Sequence, residues 1–98
     1  MAIQIKFHPD ALDELMKVVE WYERRSTDLS ISFVSEFERA IGLIFESPER
    51  WAQYQGARRF LLHRFPFSVV YEKREKIIWI VAIAHFKRKP GYWKKRVL

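Results

Sequence analysis

The chain opens with an alternation of apolar and polar residues and continues with apolar residues at helical spacing. Residues 3–7 are Ile-Gln-Ile-Lys-Phe, which is the pattern of a half-buried strand. Pro9 begins a segment in which apolar residues recur every three or four positions, with acidic residues first and arginines last. Proline suits the first turn of a helix, and this order of charges complements the helix dipole. We therefore predict a strand followed by a helix over residues 9–25.

A second apolar stripe at helical spacing indicates a second helix. Its members are Phe33, Val34, Phe37, Ile41, Ile44 and Phe45. We expect Asp28 or Ser30 to cap its start. Pro48 is expected to end it, because the residue before a proline avoids helical backbone angles. The link between the two helices is short, so they are predicted to form an antiparallel hairpin.

Three strand-like segments follow the helices. Two of them, Arg58–Arg64 and Phe67–Glu72, flank Phe65-Pro66. The third, Ile77–His85, is apolar along almost its whole length, so we place it at the centre of a sheet, buried on both faces. Strict alternation puts the small residues of this strand on the face toward the helices. That face is predicted to consist of Ile78, Ile80, Ala82 and Ala84.

The order of these elements predicts the fold class. The order β-α-α-β-β-β-tail corresponds to an α+β fold with an antiparallel central sheet and the helical hairpin packed on one face. The 98 residues suffice for one small domain, residues 1–98, whose basic C-terminal tail is residues 87–98.

Composition narrows the chemistry available to this domain. The chain has no cysteine, which excludes disulfides, thiolate metal sites and a cysteine nucleophile. Its three histidines lack the spacing of a metal site, so we expect no metal and no cofactor. The longest apolar run, Ile77–Ala84, is much shorter than the ~20 residues of a membrane helix, and the N-terminus lacks the features of a signal peptide. We therefore expect a cytoplasmic protein that does not contact a membrane.

Charge is distributed unevenly along the chain. Residues 1–49 carry ten acidic and five basic residues, whereas residues 50–98 carry thirteen basic and two acidic ones, which gives net charges of −5 and +11. A surface of one sign raises the rate of association with partners of the other sign. The cationic half is therefore predicted to bind nucleic acid or an acidic protein segment, and a solvated basic face without a partner is the alternative.

Two segments carry a resemblance to a known family. The run Arg59–Tyr71 resembles the central hairpin of RelE/ParE-family toxins. Ile80–His85, followed by Arg88, Pro90, Gly91, Tyr92 and Trp93, resembles the last strand and tail of many ParE-like members, the plasmid-stabilisation type. The resemblance implies the toxin of a bacterial type II toxin–antitoxin pair. It also implies a cognate antitoxin that wraps the toxin with an acidic or amphipathic segment and through which alone the pair contacts operator DNA.

Two activities recur in this family, and they need different residues. RelE-like members cut messenger RNA on the ribosome, whereas ParE-like members poison DNA gyrase. Metal-independent RNA cleavage needs a base, an acid and cations that stabilise the phosphate. Histidine is the residue type best suited to transfer protons at physiological pH, so His85 is a candidate for a proton-transfer role. The resemblance places Arg59 and Tyr92 where the RNA-cleaving toxins have a catalytic lysine and tyrosine.

Further residues are candidates for binding phosphate, RNA or a protein target. They are Arg64, Lys87, Arg88, Trp93, Lys94, Lys95 and Arg96. The candidates also have structural interpretations, in which His85 caps the last strand while Tyr92 and Trp93 pack on the sheet and anchor the tail. Against RNA cleavage, the resemblance places Leu61, Ser68 and Phe86 where the RNA-cleaving toxins have further basic residues.

These observations favour a ParE-like toxin that acts by binding a gyrase-type target. A metal-independent, ribosome-dependent messenger RNA endonuclease is the alternative, so the chain's status as an enzyme stays open. A non-catalytic nucleic-acid-binding module or a degenerate antitoxin-binding module is a further alternative.

Overall fold

The computed structural model describes residues 2–97, and the terminal residues of the predicted domain, Met1 and Leu98, lie outside this range. The elements are β1 (Gln4–Phe7), α1 (Pro9–Glu23), α2 (Thr27–Glu46), β2 (Gln53–Tyr54), β3 (Ala57–Leu61), β4 (Phe67–Arg74), β5 (Ile77–His85) and a 3-10 turn, Lys94–Arg96. The predicted α+β class is confirmed, with the two helices packed on one face of a single sheet. Neither helix is long and apolar enough to span a membrane.

The sheet has five strands in the order β1-β5-β4-β3-β2, and it is mixed rather than antiparallel throughout. β1 pairs parallel with β5, whereas all the other pairs are antiparallel. Parallel strands need a long crossover connection, and the chain between β1 and β5 includes the helical hairpin. β1 can therefore lie beside the last strand, β5, and run in the same direction. The two-residue strand β2 was not predicted, since a segment that short has no readable periodicity.

The start of α2 differs from the sequence-based prediction. Ser26 is the N-cap, with its hydroxyl accepting a hydrogen bond from the Leu29 N–H (3.4 Å). Asp28 lies in the first turn and Ser30 is buried inside the helix, so neither is the cap. α1 also ends two residues before the predicted bound, at Glu23, so the link between the helices is residues 24–26.

A β-bulge in β5 changes which residues face the helices. Val70 pairs with Ala82 and Tyr71 pairs with Ile80, so Val81 is the extra residue. The prediction that Ala82 and Ala84 face the helices is therefore wrong, because alternation shifts by one residue at the bulge. In their place, Ile83 joins Ile78 and Ile80 in the helix-side core.

The sheet thus has a buried core on each face. The helix-side core contains most of the large aromatic side chains, including Phe33, Phe37, Phe60 and Phe65. The opposite side, which we call the tail face, is formed by Ala57, Val70, Val81, Ala82 and Ala84, with Trp93 packed on them. The tail is therefore part of the folded structure.

Candidate functional site

Trp93 anchors the basic tail to the tail face. Its side chain is only 1% exposed, and its ring centroid lies 6.1 Å from that of Tyr54. The two lysines that follow this anchor are not buried, since Lys94 and Lys95 are exposed at the start of the 3-10 turn. Trp93 is therefore a packing residue, and the exposed cations next to it are what the tail offers to a partner.

A small cleft between the tail and the sheet brings several predicted site residues together. Arg59, His85, Arg88 and Tyr92 line this cleft, whose volume is about 30 Å³. The guanidinium of Arg59 stacks on the Tyr54 ring at 3.8 Å, and that of Arg88 stacks on the Tyr92 ring at 3.8 Å. Among the described residues that line the cleft, none is acidic. The cleft is therefore cationic, and its volume is about that of one water molecule.

The hydroxyl of Tyr92 is engaged inside the domain. It donates a hydrogen bond to Glu14 Oε2 at 2.8 Å. Burial raises the pKa of Tyr92, and the hydrogen bond to the Glu14 carboxylate raises it further. The hydroxyl is therefore a weaker acid than an ordinary tyrosine, and its proton is directed to α1.

Arg96 completes a network around the same carboxylate. Its Nη1 and Nη2 atoms donate to Glu14 Oε1 and Oε2, both at 3.0 Å. Nη1 also donates to the Val81 carbonyl at 3.1 Å. Burial of the guanidinium opposes its charge, but the hydrogen bonds and charge of Glu14 outweigh this and raise the pKa of Arg96. Arg96, predicted to bind a target, is thus committed to an internal ion pair.

Glu14 is the residue of this network that sequence reasoning missed as a site residue. It was assigned only to the acidic first turns of α1, although one signal in the sequence marks it. Ala11 and Tyr22 are buried, Val18 is half-buried, and Glu14 lies on the same face of the helix. A carboxylate within a buried stripe needs a cationic or hydrogen-bonding partner, and such a partner could have been sought in the basic half.

His85 combines a structural contact with a position at the cleft. Its ring packs edge-on against Phe67, with ring centroids 5.1 Å apart. Its Nδ1 atom accepts a hydrogen bond from the Lys87 N–H at 3.0 Å, which caps the end of β5. The imidazole also borders an apolar cavity of about 420 Å³ whose wall includes Trp21 and Tyr22.

Arg64 lies apart from the other predicted binding residues. It follows β3, and its N–H donates to Glu36 Oε2 of α2 at 3.2 Å. It lines a groove beside α2 rather than the cleft under the tail. The remaining predicted cations, Lys87, Lys94 and Lys95, are exposed residues of the tail itself.

Three of the positions at which the RNA-cleaving toxins have basic residues carry no cation here. Leu61 and Phe86 are exposed apolar side chains, and Ser68 is buried with its hydroxyl directed to the Ala84 carbonyl. Within residues 2–97, no group of three or more histidine or carboxylate side chains is placed to hold a metal ion. The basic side chains that do line the cleft are Arg59, His85, Arg88 and Lys89.

Comparison with known proteins gives consistent results. The fold is similar to a chain in the solved chromosomal ParDE toxin–antitoxin system from P. aeruginosa, with a TM-score of 0.72 and 18% identity over 85% of this chain and 95% of that chain. The comparison with curated proteins gave no match. The family described as the ParE toxin of the type II toxin–antitoxin system parDE matches residues 5–90. Because this match spans most of the sequence, the chain belongs to the ParE toxin family of type II toxin–antitoxin systems.

Proposed function

We propose that this toxin acts in the cytoplasm by binding its target, and that the target is DNA gyrase. The hydrogen bond from the Tyr92 hydroxyl to Glu14 (2.8 Å) carries the proposal. A tyrosine that serves as a general acid delivers its proton to the leaving oxygen, whereas this proton is directed to a carboxylate inside the domain. The anchored tail instead presents the lysines of an ordered surface, which suits recognition of a partner.

The proposed function includes an antitoxin that covers the cationic surface. Membership of the family implies an antitoxin partner. We propose that its toxin-binding segment is acidic or amphipathic, because residues 50–98 carry thirteen basic and two acidic residues. Operator DNA is then contacted through the antitoxin, since a covered basic surface is not free to bind phosphates.

Ribosome-dependent RNA cleavage is the second candidate. The observation that favours it is the convergence of Arg59, His85, Arg88 and Tyr92 on one cleft. In this mechanism His85 takes the proton of the 2′-hydroxyl, and the 2′-oxygen attacks the phosphorus while the two arginines hold the phosphate. The bond from phosphorus to the 5′-oxygen breaks, and a solvent water protonates the leaving oxygen. The apolar or neutral residues at positions 61, 68 and 86 count against it, because they leave the phosphate with fewer cations.

One pair of assays separates the two targets. The chain is induced without an antitoxin, and RNA 5′ ends are mapped within minutes while the purified chain is added to gyrase supercoiling reactions. We expect growth arrest, inhibition of supercoiling and no new 5′ ends inside translated messages. New ends that disappear in His85→Ala would replace the proposal with RNA cleavage. A chain that arrests no growth would contradict the assignment as an active toxin.

The tail lysines provide a matched test of the binding surface. Reversing Lys94 and Lys95 to glutamate is expected to weaken growth arrest strongly, because it removes the exposed cations beside the Trp93 anchor. Reversing Lys73, near the end of β4, and Lys76, in the turn before β5, makes the same change in net charge away from the tail, and we expect it to preserve arrest. Equal loss in both double variants would indicate that only net charge matters.

A further inference from the structure

Glu14 connects α1 to both ends of the tail segment that carries the exposed lysines. Its two carboxylate oxygens accept hydrogen bonds from the Tyr92 hydroxyl at 2.8 Å and from the Arg96 guanidinium at 3.0 Å. The side chains of Glu14 and Arg96 are only 17% and 16% exposed, so the pair is shielded from solvent. A bidentate, partly buried pair of this kind fixes geometry as well as contributing energy.

The same carboxylate also satisfies an open strand edge. β1 pairs with β5 only as far as Ile80, so the next residues of β5 lack a strand on that side. Glu14 Oε1 accepts the Ile83 N–H at 3.0 Å, and Arg96 Nη1 donates to the Val81 carbonyl at 3.1 Å. Glu14 and Arg96 thus make hydrogen bonds that a neighbouring strand would otherwise make at the bulge. Without them, buried backbone groups of β5 would lack partners, which lowers the stability of the fold.

The position of the two donors explains what the network holds in place. Tyr92 and Arg96 lie immediately outside the three residues Trp93, Lys94 and Lys95. Trp93 packing alone holds one point of this segment, whereas Glu14 fixes the residues on both sides of it. The direction in which Lys94 and Lys95 project therefore depends on a residue of α1.

We propose that Glu14 is a positioning residue of this toxin. Its hydrogen bonds with Tyr92 and Arg96, which we call the clasp, hold the cationic tail in the orientation that binds the target. This inference rests on the proposed function in one respect, which is the identity of the target that the tail binds. The clasp itself is a property of the folded chain and can be measured without a target.

The first test is hydrogen exchange of the purified chain, comparing Glu14→Gln with Asp13→Asn. Both variants remove one negative charge from α1, but Asp13 is exposed and pairs with Lys17 on the surface of the same helix (2.9 Å). We expect Glu14→Gln to raise the exchange rate about tenfold or more at Ile83 and across residues 92–97, with the rest of the domain unchanged. Asp13→Asn should leave these rates as they are.

A general loss of stability would give a different pattern, because it would raise exchange in the helices and central strands as well. Uniform acceleration, or equal rates in Glu14→Gln and the unmodified chain, would overturn the clasp. Arg96→Lys provides a second variant that retains the charge but not the bidentate geometry. It should accelerate the same amides to an intermediate extent.

The second test is growth arrest on induction of the same variants. Glu14→Gln should lose much of its toxicity, while Asp13→Asn retains it. A variant whose tail amides exchange rapidly but whose toxicity is intact would overturn the positioning role. If the unmodified chain itself arrests no growth, the proposed function fails, and the exchange data still decide whether the clasp exists.

Discussion

Two tyrosine hydroxyls hold distant parts of the chain together, and each donates a hydrogen bond to a partly buried acceptor. Tyr92 donates to Glu14, as described above, and Tyr71 donates to the Pro48 carbonyl at 2.6 Å. The second bond fastens the loop after α2 to the middle of β4. Both hydroxyls must be neutral to donate, so the stability of the fold depends on their remaining protonated.

This dependence predicts alkaline destabilisation in which Tyr71 takes part. Burial raises the pKa of Tyr71 from 10.0 to about 12 in the folded chain. A raised pKa contributes stability that is complete below the unfolded value and is lost as pH rises through the folded value. In denaturant titrations between pH 9 and 12, Tyr71→Phe should therefore show a shallower fall in the free energy of unfolding than the unmodified chain.

The comparison at pH 8 serves as the control for that variant. There the tyrosines are neutral, and the loss of one hydrogen bond is expected to cost about 1 kcal/mol. If Tyr71→Phe lowered stability equally at every pH, ionisation of Tyr71 would not contribute to alkaline unfolding.

At the scale of the elements, β5 shows what the sequence can and cannot predict. Its bounds, Ile77–His85, were predicted from the apolar run and are confirmed. Its faces were predicted from strict alternation and are wrong after Val81, because no local pattern marks the residue at which a bulge occurs. The N-cap of α2 was predicted wrongly for a similar reason. Several serine and aspartate residues near the start of the helix are suitable caps, and no local pattern selects Ser26 among them.

The bulge makes a prediction that strict alternation does not make. Without it, Ile77 and Ile83 would lie on the same face, but Ile83 is 3% exposed in the helix-side core while Ile77 is only half-buried. Ile83→Ala is therefore expected to lower the free energy of unfolding by about 3 kcal/mol, as other buried truncations do. Ile77→Ala, the matched control, should cost roughly 1 kcal/mol or less. Similar losses in both variants would contradict the bulge.

At the scale of the whole molecule, the site is assembled from residues far apart in the sequence. Tyr92 and Arg96 meet Glu14 across separations of 78 and 82 residues. Helical and strand periodicity describes only near neighbours, so it predicted both helices and most of the strands but not this contact. The acidic first half and the basic second half are likewise not separated in space, because one acidic residue of α1 pairs with the end of the tail.

The remaining charge asymmetry predicts how the toxin meets its antitoxin. Ion pairs with acidic residues of the domain neutralise only part of the positive charge. In the tail, Lys87, Lys94 and Lys95 are exposed. Long-range attraction between this surface and an acidic antitoxin segment is screened by salt over about 8 Å at physiological ionic strength. The association rate measured by stopped flow should therefore fall about tenfold or more from low to high salt, whereas the dissociation rate changes little.

Reversing Lys94 and Lys95 to glutamate should reduce both the association rate and its salt dependence. An association rate that did not change with salt would mean that apolar contacts, rather than the cationic surface, guide the encounter.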